Sequence, residues 1–308
     1  MATDASLNEI IELAFAELDE KEKGHEPISI KHLVISGGGV AGFSFYGALR
    51  ESNNKNIWNI ENIESIHGTS VGSLMGVLIA LKYDWSTLDD YLIKRPWQNL
   101  YKFNLFSIME GIKKRGLFDI KVMEETFTPL LSGKDISIDI TMKEFYELTK
   151  IDLHIYLTEI HNFECIDVCH KKYPDWKLLD AVYSSCSLPV LFAPILSDGK
   201  CYCDGGLLMN YPVSYCVKNG ANPKEILGVS RMNDNSKDFI INEESSLLDY
   251  GLILIYRAME KLLTPPEKIN IGIEYNIISP RLSLYDIINT AASEEERIKL
   301  IDAGVKYV

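Results

Sequence analysis

The stretch Ile63-Glu-Ser-Ile-His-Gly-Thr-Ser-Val-Gly-Ser-Leu-Met-Gly-Val-Leu-Ile-Ala-Leu81 decides how this chain is read. Ile63 to Ile66 reads as a short strand. Gly68-Thr-Ser-Val-Gly72 is a sharp turn, and Leu74 to Leu81 is a helix apolar nearly all round, which places it inside the fold. A G-x-S-x-G pentapeptide between strand and helix is the setting of a nucleophile elbow. Gly68 and Gly72 relieve crowding at the bend, and the helix start favours developing negative charge at the hydroxyl of Ser70.

Upstream, His32-Leu-Val-Ile35 is a buried strand that runs into Gly37-Gly-Gly-Val-Ala-Gly42, and Phe43 to Glu51 has the pattern of a helix. Gly37, Gly39 and Gly42 also satisfy a dinucleotide fingerprint. That reading needs an acidic residue at the end of the second strand to hold a ribose hydroxyl. Here the second strand ends Ser65-Ile-His67 and enters the elbow, and the loop lacks the Lys-Ser/Thr of a phosphate loop. Successive glycines instead let backbone N–H groups turn toward one point, as an oxyanion hole requires, with Gly37, Gly38, Gly39 and Gly42 as its candidates.

A serine nucleophile needs a base. The histidines are His25, His32, His67, His154, His161 and His170, and none lies beyond position 170, so a Ser–acid–His order has only unsupported candidates. Asp204-Gly-Gly206 ends a strand at Lys200 to Cys203, and its glycines (Gly205, Gly206) let another chain segment come close. Read alone, Asp-Gly is a turn.

Taken in order, Gly37 to Gly42, Gly68 to Gly72 and Asp204 to Gly206 resemble the motif set of the patatin-like phospholipase family. Gly116-Leu-Phe-Asp119 and Ala181-Val-Tyr-Ser-Ser-Cys-Ser-Leu-Pro-Val-Leu-Phe-Ala-Pro194 resemble further blocks of it. The resemblance covers residues 30 to 232. It implies a Ser–Asp dyad carried by Ser70 and Asp204 without histidine, an oxyanion hole at Gly37 to Gly39, and calcium-independent cleavage of acyl esters of glycerolipids, of phospholipase A type. It implies no cofactor. One departure is Ala41, where the family usually has Arg or Lys.

Around these motifs the chain alternates strands with helices. Thr141-Met-Lys-Glu144 is a capping box, and Asp119 and Asp175 are placed to cap helices. Ile151 to Glu159 and Phe163 to Cys169 suit a hairpin, and Ile226 to Ser230 a further strand. The expected fold is a three-layer α/β/α sandwich with a mostly parallel central sheet. Three parts are expected: an N-terminal amphipathic helix and linker over 1–29, opened by the capping box Ser6-Leu-Asn-Glu9; a catalytic domain over 30–232; and a mainly helical extension over 233–308 packed on the same domain.

Composition sets the outer bounds. With 46% hydrophobic residues the 308-residue chain can bury a large core, and a net charge of −13 disfavours nucleic acid. No secretory signal opens the sequence, and no apolar run reaches the roughly 18 residues of a spanning helix. The expectation is an intracellular, cytoplasmic protein that meets glycerolipid at a membrane or micelle surface. Cys165, Cys169 and His170 lack a second pair in metal-finger spacing, so no metal site is expected. Competing readings are a lipid-binding scaffold without turnover and a dinucleotide-dependent oxidoreductase. Oligomeric state, headgroup and positional specificity are not legible.

Overall fold

The computed structural model describes residues 29–101, 105–233, 241–262, 269–279 and 283–308, so the expected N-terminal helix and His25 lie outside the described residues. The strands are β1 (His32–Ile35), β2 (Ser65–Thr69), β3 (Gly116–Phe118), β4 (Asp152–Glu159), β5 (Glu164–Val168), β6 (Val190–Phe192), β7 (Ile195–Ser197), β8 (Lys200–Asp204), β9 (Ile226–Asn233) and β10 (Ile273–Ser279). The main sheet runs β10-β9-β1-β2-β4-β8-β7, with β5 also on β4, and β3 pairs with β6 apart from it. From β10 through β4 neighbouring strands are parallel; β5, β7 and β8 join antiparallel.

The helices are α1 (Gly42–Asn54), α2 (Val71–Ala80), α3 (Trp85–Lys94), α4 (Leu105–Lys114), α5 (Lys121–Ser132), α6 (Met142–Thr149), α7 (Leu178–Cys186), α8 (Val213–Lys218), α9 (Leu247–Leu262), α10 (Leu284–Ala292) and α11 (Glu294–Val305). They cover both faces of the sheet. Successive side chains of β1 point to opposite faces. Leu33 and Ile35 enter the core formed with Phe45 and Leu49 of α1 and Val77 and Leu78 of α2, while Val34 packs with Val213 and Cys216 of α8. The fold is therefore an α/β/α sandwich with a mostly parallel sheet. Among the described residues no helix is long and apolar enough to cross a membrane.

Local signals met different fates. The Thr141 capping box forms, with Glu144 N–H donating to Thr141 Oγ1 and Thr141 N–H donating to Glu144. Asp119 accepts from Lys121 N–H at 3.1 Å, but sits one residue before the N-cap position, Ile120. The Asp175 expectation fails: Lys177 is held extended by a bridge to Thr141, so the helix starts only at Leu178 and has no side-chain cap. The second strand also starts and ends later than expected. Its pairing with β1 continues to Gly68 and with β4 to Thr69, so Ser70 follows the strand directly.

β10 adds a strand that periodicity did not reveal, and α11 packs along α1. The contact is close because of two glycines. A Cβ on Gly47 would overlap the carbonyl oxygen of Ile301, and one on Gly304 the carbonyl oxygen of Ser44. Replacing Gly47 by Ala gains about 1 kcal/mol in helix propensity. Overpacking typically costs about 1–3 kcal/mol, and the obstructing backbone cannot turn aside as a side chain could. Gly47→Ala is therefore expected to lower the urea midpoint and the Tm. A Tm equal to or above wild type would contradict this packing.

Candidate active site

The site is assembled at the C-terminal ends of the parallel strands. β5 pairs with β4 over Ile155 to Glu159, so β2 and β8, which pair with residues of that same span, both lie on its other edge. β2 occupies that edge through Tyr156, opposite Thr69, and β8 takes it over from Leu157, opposite Asp204. Ser70, the residue after Thr69, thereby arrives beside Asp204. The Ser70 hydroxyl donates to Asp204 Oδ2 at 2.8 Å.

Ser70 has φ 53° and ψ −128°, a backbone conformation that costs a non-glycine residue on the order of 1–3 kcal/mol. Its surroundings hold it there. Its N–H donates to Ser185 Oγ at 2.9 Å, and its carbonyl accepts from the N–H (2.8 Å) and hydroxyl (2.7 Å) of Ser73. A Cβ on Gly68 would lie 2.5 Å from Gly72 O, and one on Gly72 would overlap Ile35 O. Only glycine admits this approach of elbow to sheet.

Asp204 is 4% exposed. Oδ1 accepts from Gly206 N–H at 2.7 Å. A Cβ on Gly205 would overlap Tyr156 O, which explains the glycine after the aspartate. Burial pushes the Asp204 carboxyl up to about 6, against the opposing pull of the hydrogen bonds from Gly206 and Ser70.

The four loop glycines divide by what their N–H groups do. Gly37 N–H donates to Asn210 O at 3.0 Å, and Gly42 N–H donates back to Gly39 O as α1 begins. Both groups thus have acceptors within the protein. Gly37 also allows close approach: a Cβ there would stand 2.5 Å from Asn210 Oδ1 and 3.2 Å from Ser70 Cβ. Gly38 and Gly39 N–H find no protein acceptor among the described residues, and Gly39 has φ 57°.

Beside Ser70 and Asp204 opens a cavity of about 410 Å³, lined mainly by apolar side chains that include Leu74, Leu78, Trp97, Met123, Phe192 and Ile287. No histidine among the described residues lines it. His67 is buried with Nδ1 2.8 Å from Tyr156 Oη, and His154 and His170 contact Asp152 on another part of the sheet. His32 contacts Ser65, and His161 lies beside Glu159. Residue-by-residue reading did not single out Ser73, Ser185, Cys186 or Asn210. Ser185 and Cys186 lay inside the Ala181–Pro194 block, whereas nothing local marked Asn210.

A family profile described as patatin-like phospholipase matches residues 33–217, more than half of the chain. The chain belongs to the patatin-like phospholipase family. Its similarity to uncharacterized protein R571 of Acanthamoeba polyphaga mimivirus is 29% identity over 210 residues, 68% of each chain. The probable lipid hydrolase 463L of Invertebrate iridescent virus 6 is 29% identical over 195 residues, 63% of this chain and 65% of that protein. Lysophospholipase NTE1 of Kluyveromyces lactis is 26% identical over 206 residues, 66% of this chain but 13% of that protein. All motif residues of this patatin-like chain, from Gly37 to Gly206, fall inside the matched region.

The raised Asp204 carboxyl has a consequence for stability. Its proton is held more tightly folded than unfolded, so folding loses stability as pH rises from its ordinary 3.8 through about 6. A shift of this size amounts to roughly 3 kcal/mol by the conversion of about 1.4 kcal/mol per pH unit. Asp204→Asn keeps the shape without the charge. Its Tm relative to wild type is expected to rise between pH 4 and pH 8, leaving the variant at least as stable at pH 8. A Tm difference that moves the other way would show that the carboxylate is not held at a cost.

Proposed function

We propose that this protein is a lipid ester hydrolase in which Ser70 attacks the acyl carbonyl and Asp204 is the general base. The observation that carries the reading is the 2.8 Å hydrogen bond from Ser70 Oγ to Asp204 Oδ2 beside an apolar cavity. A carboxyl raised to about 6 is mostly ionised at neutral pH yet far more basic than an exposed aspartate. As Ser70 Oγ bonds to the carbonyl carbon, Asp204 takes its proton. Gly38 and Gly39 N–H are the free donors for the oxyanion, each worth on the order of 3 kcal/mol of barrier. Collapse breaks the ester C–O bond, and the proton passes from Asp204 to the departing alkoxide. Asp204 then deprotonates a water that releases the fatty acid.

The lining of the cavity suits an acyl chain, and the names of the relatives point the same way, toward phospholipid or lysophospholipid esters met at a membrane or micelle surface. The chemistry needs no calcium, because backbone N–H groups do the work of a cation at the oxyanion. Residues 30–232 carry the site in this reading, and residues 233–308 complete its wall through Tyr256, Met259 and Ile287.

A fluorophosphonate probe is expected to add once, at Ser70. Ser70→Ala should lose both the label and fatty-acid release from a mixed-lipid panel read by mass spectrometry, while folding normally. Label that persists in the variant would overturn the assignment of the nucleophile. Lipid that is retained without release by the wild-type protein would instead favour a binding role.

A further inference from the structure

The sheet carries a second cluster of reactive side chains at the opposite end from Ser70. Asp152 and His154 lie two apart on β4, so they share a face. The β4–β5 register places Ile155 against Val168, and one step further brings Cys169 opposite His154. Asp152, His154 and Cys169 each offer one donor atom, and these atoms all lie within 4.8 Å of one another. We infer that Asp152, His154 and Cys169 form a binding site for one divalent transition-metal ion of the zinc class.

The donor chemistry fits that class: one thiolate, one imidazole and one carboxylate suit a borderline-soft ion rather than calcium or magnesium. Tetrahedral bonds of about 2.0–2.3 Å hold donor atoms about 3.3–3.6 Å apart. His154 Nε2 already stands 3.4 Å from Asp152 Oδ1, so only the sulfur side has to close.

Two of the ligands also have outer partners of the kind metal sites use. His154 Nδ1–H donates to Asp167 Oδ1 at 2.8 Å, which turns Nε2 toward Asp152. Asp152 is held by His170 (2.9 Å) and Lys171 (2.7 Å). Cys169 is buried, and its carbonyl oxygen accepts from the N–H groups of Lys172 (3.2 Å) and Tyr173 (2.9 Å), which fix the turn that carries the thiol. His170 is itself held beside the carboxylate by stacking on Tyr146. The absence of finger spacing around Cys165, Cys169 and His170 hid this set, because Asp152 and His154 come from the partner strand of the hairpin.

The site is separate from the hydrolytic one. Asp152 pairs with Ser65 and Tyr156 with Thr69, four residues and about 13 Å of strand from the elbow. The ion would pin β4 to the end of β5 and take no part in ester cleavage. A proton on His154 could bridge the same two carboxylates, so the experiment has to tell a metal from a proton.

The full chain, dialysed against a weak chelator after exposure to zinc, is expected to keep one equivalent by elemental mass spectrometry. The cobalt-loaded protein should show thiolate-to-cobalt charge-transfer absorption that Cys169→Ser and His154→Gln abolish and Cys165→Ser retains. Asp167→Asn should weaken zinc binding about 10- to 100-fold. A strong chelator should lower the Tm while leaving ester hydrolysis measured well below the melting range unchanged. Zinc that is not retained, or a cobalt band that survives in Cys169→Ser, would overturn the inference. Should that variant fail to fold, X-ray absorption of the zinc-loaded wild-type protein decides: one sulfur at about 2.3 Å supports the site, and a shell of nitrogen and oxygen alone refutes it.

Discussion

β2 and β8 share one edge of β4 in succession, and the arrangement of Ser70 and Asp204 depends on that handover. A parallel strand ends at Thr69, and an antiparallel strand ends at Asp204 on the next residue of the same edge. The two chain ends meet head-on, which delivers a hydroxyl and a carboxylate to one point from backbone pairing alone. Both chains then turn sharply away to avoid each other. The turns are where glycine is required: Gly72 against Ile35 O on one side, Gly205 against Tyr156 O on the other. Tyr156 also connects the parts, since its carbonyl accepts from Ser185 Oγ, which in turn receives Ser70 N–H.

The energetics of this meeting are unfavourable locally and are offset by the body of the fold. Ser70 sits in a strained backbone conformation, and Asp204 is buried with two hydrogen bonds in place of water. Each costs a few kcal/mol by general scales, against marginal stabilities of about 5–15 kcal/mol for whole domains. The double-sided core around β1 and α2, together with buried Arg297 donating to the carbonyls of Ile93, Thr290 and Ala291, supplies the rigidity that keeps both in place. In the proposed chemistry the same burial is useful, because it makes a carboxylate basic enough to take a serine proton without an imidazole.

What could be read from sequence was what local chemistry dictates. The strand-to-helix turn at Gly68 to Gly72 and the Thr141 capping box are signalled within a few residues, and both the turn and the cap are present. Strand β10 and the short strands β3, β6 and β7 were not legible, since they exist through partners distant in the chain. The division of labour among the loop glycines was hidden for the same reason: Gly37 N–H is taken by Asn210, far along the chain and in no motif. Likewise Asp175 looked like a cap, but the bridge from Thr141 to Lys177 moved the helix start beyond its reach.

The central claim is that a carboxylate alone activates Ser70. It is tested most directly by kcat/KM on one soluble ester for purified, folded Asp204→Asn beside single Gln variants of His67, His154, His161 and His170. The account predicts that Asp204→Asn falls on the order of 10⁴-fold or more, as units of this kind do when one member is removed. His161→Gln and His170→Gln should remain close to wild type, and His67→Gln and His154→Gln should lose only what their buried hydrogen bonds contribute to folding. A histidine variant that falls as far as Asp204→Asn while remaining folded would contradict it, and a Ser–His mechanism would take its place.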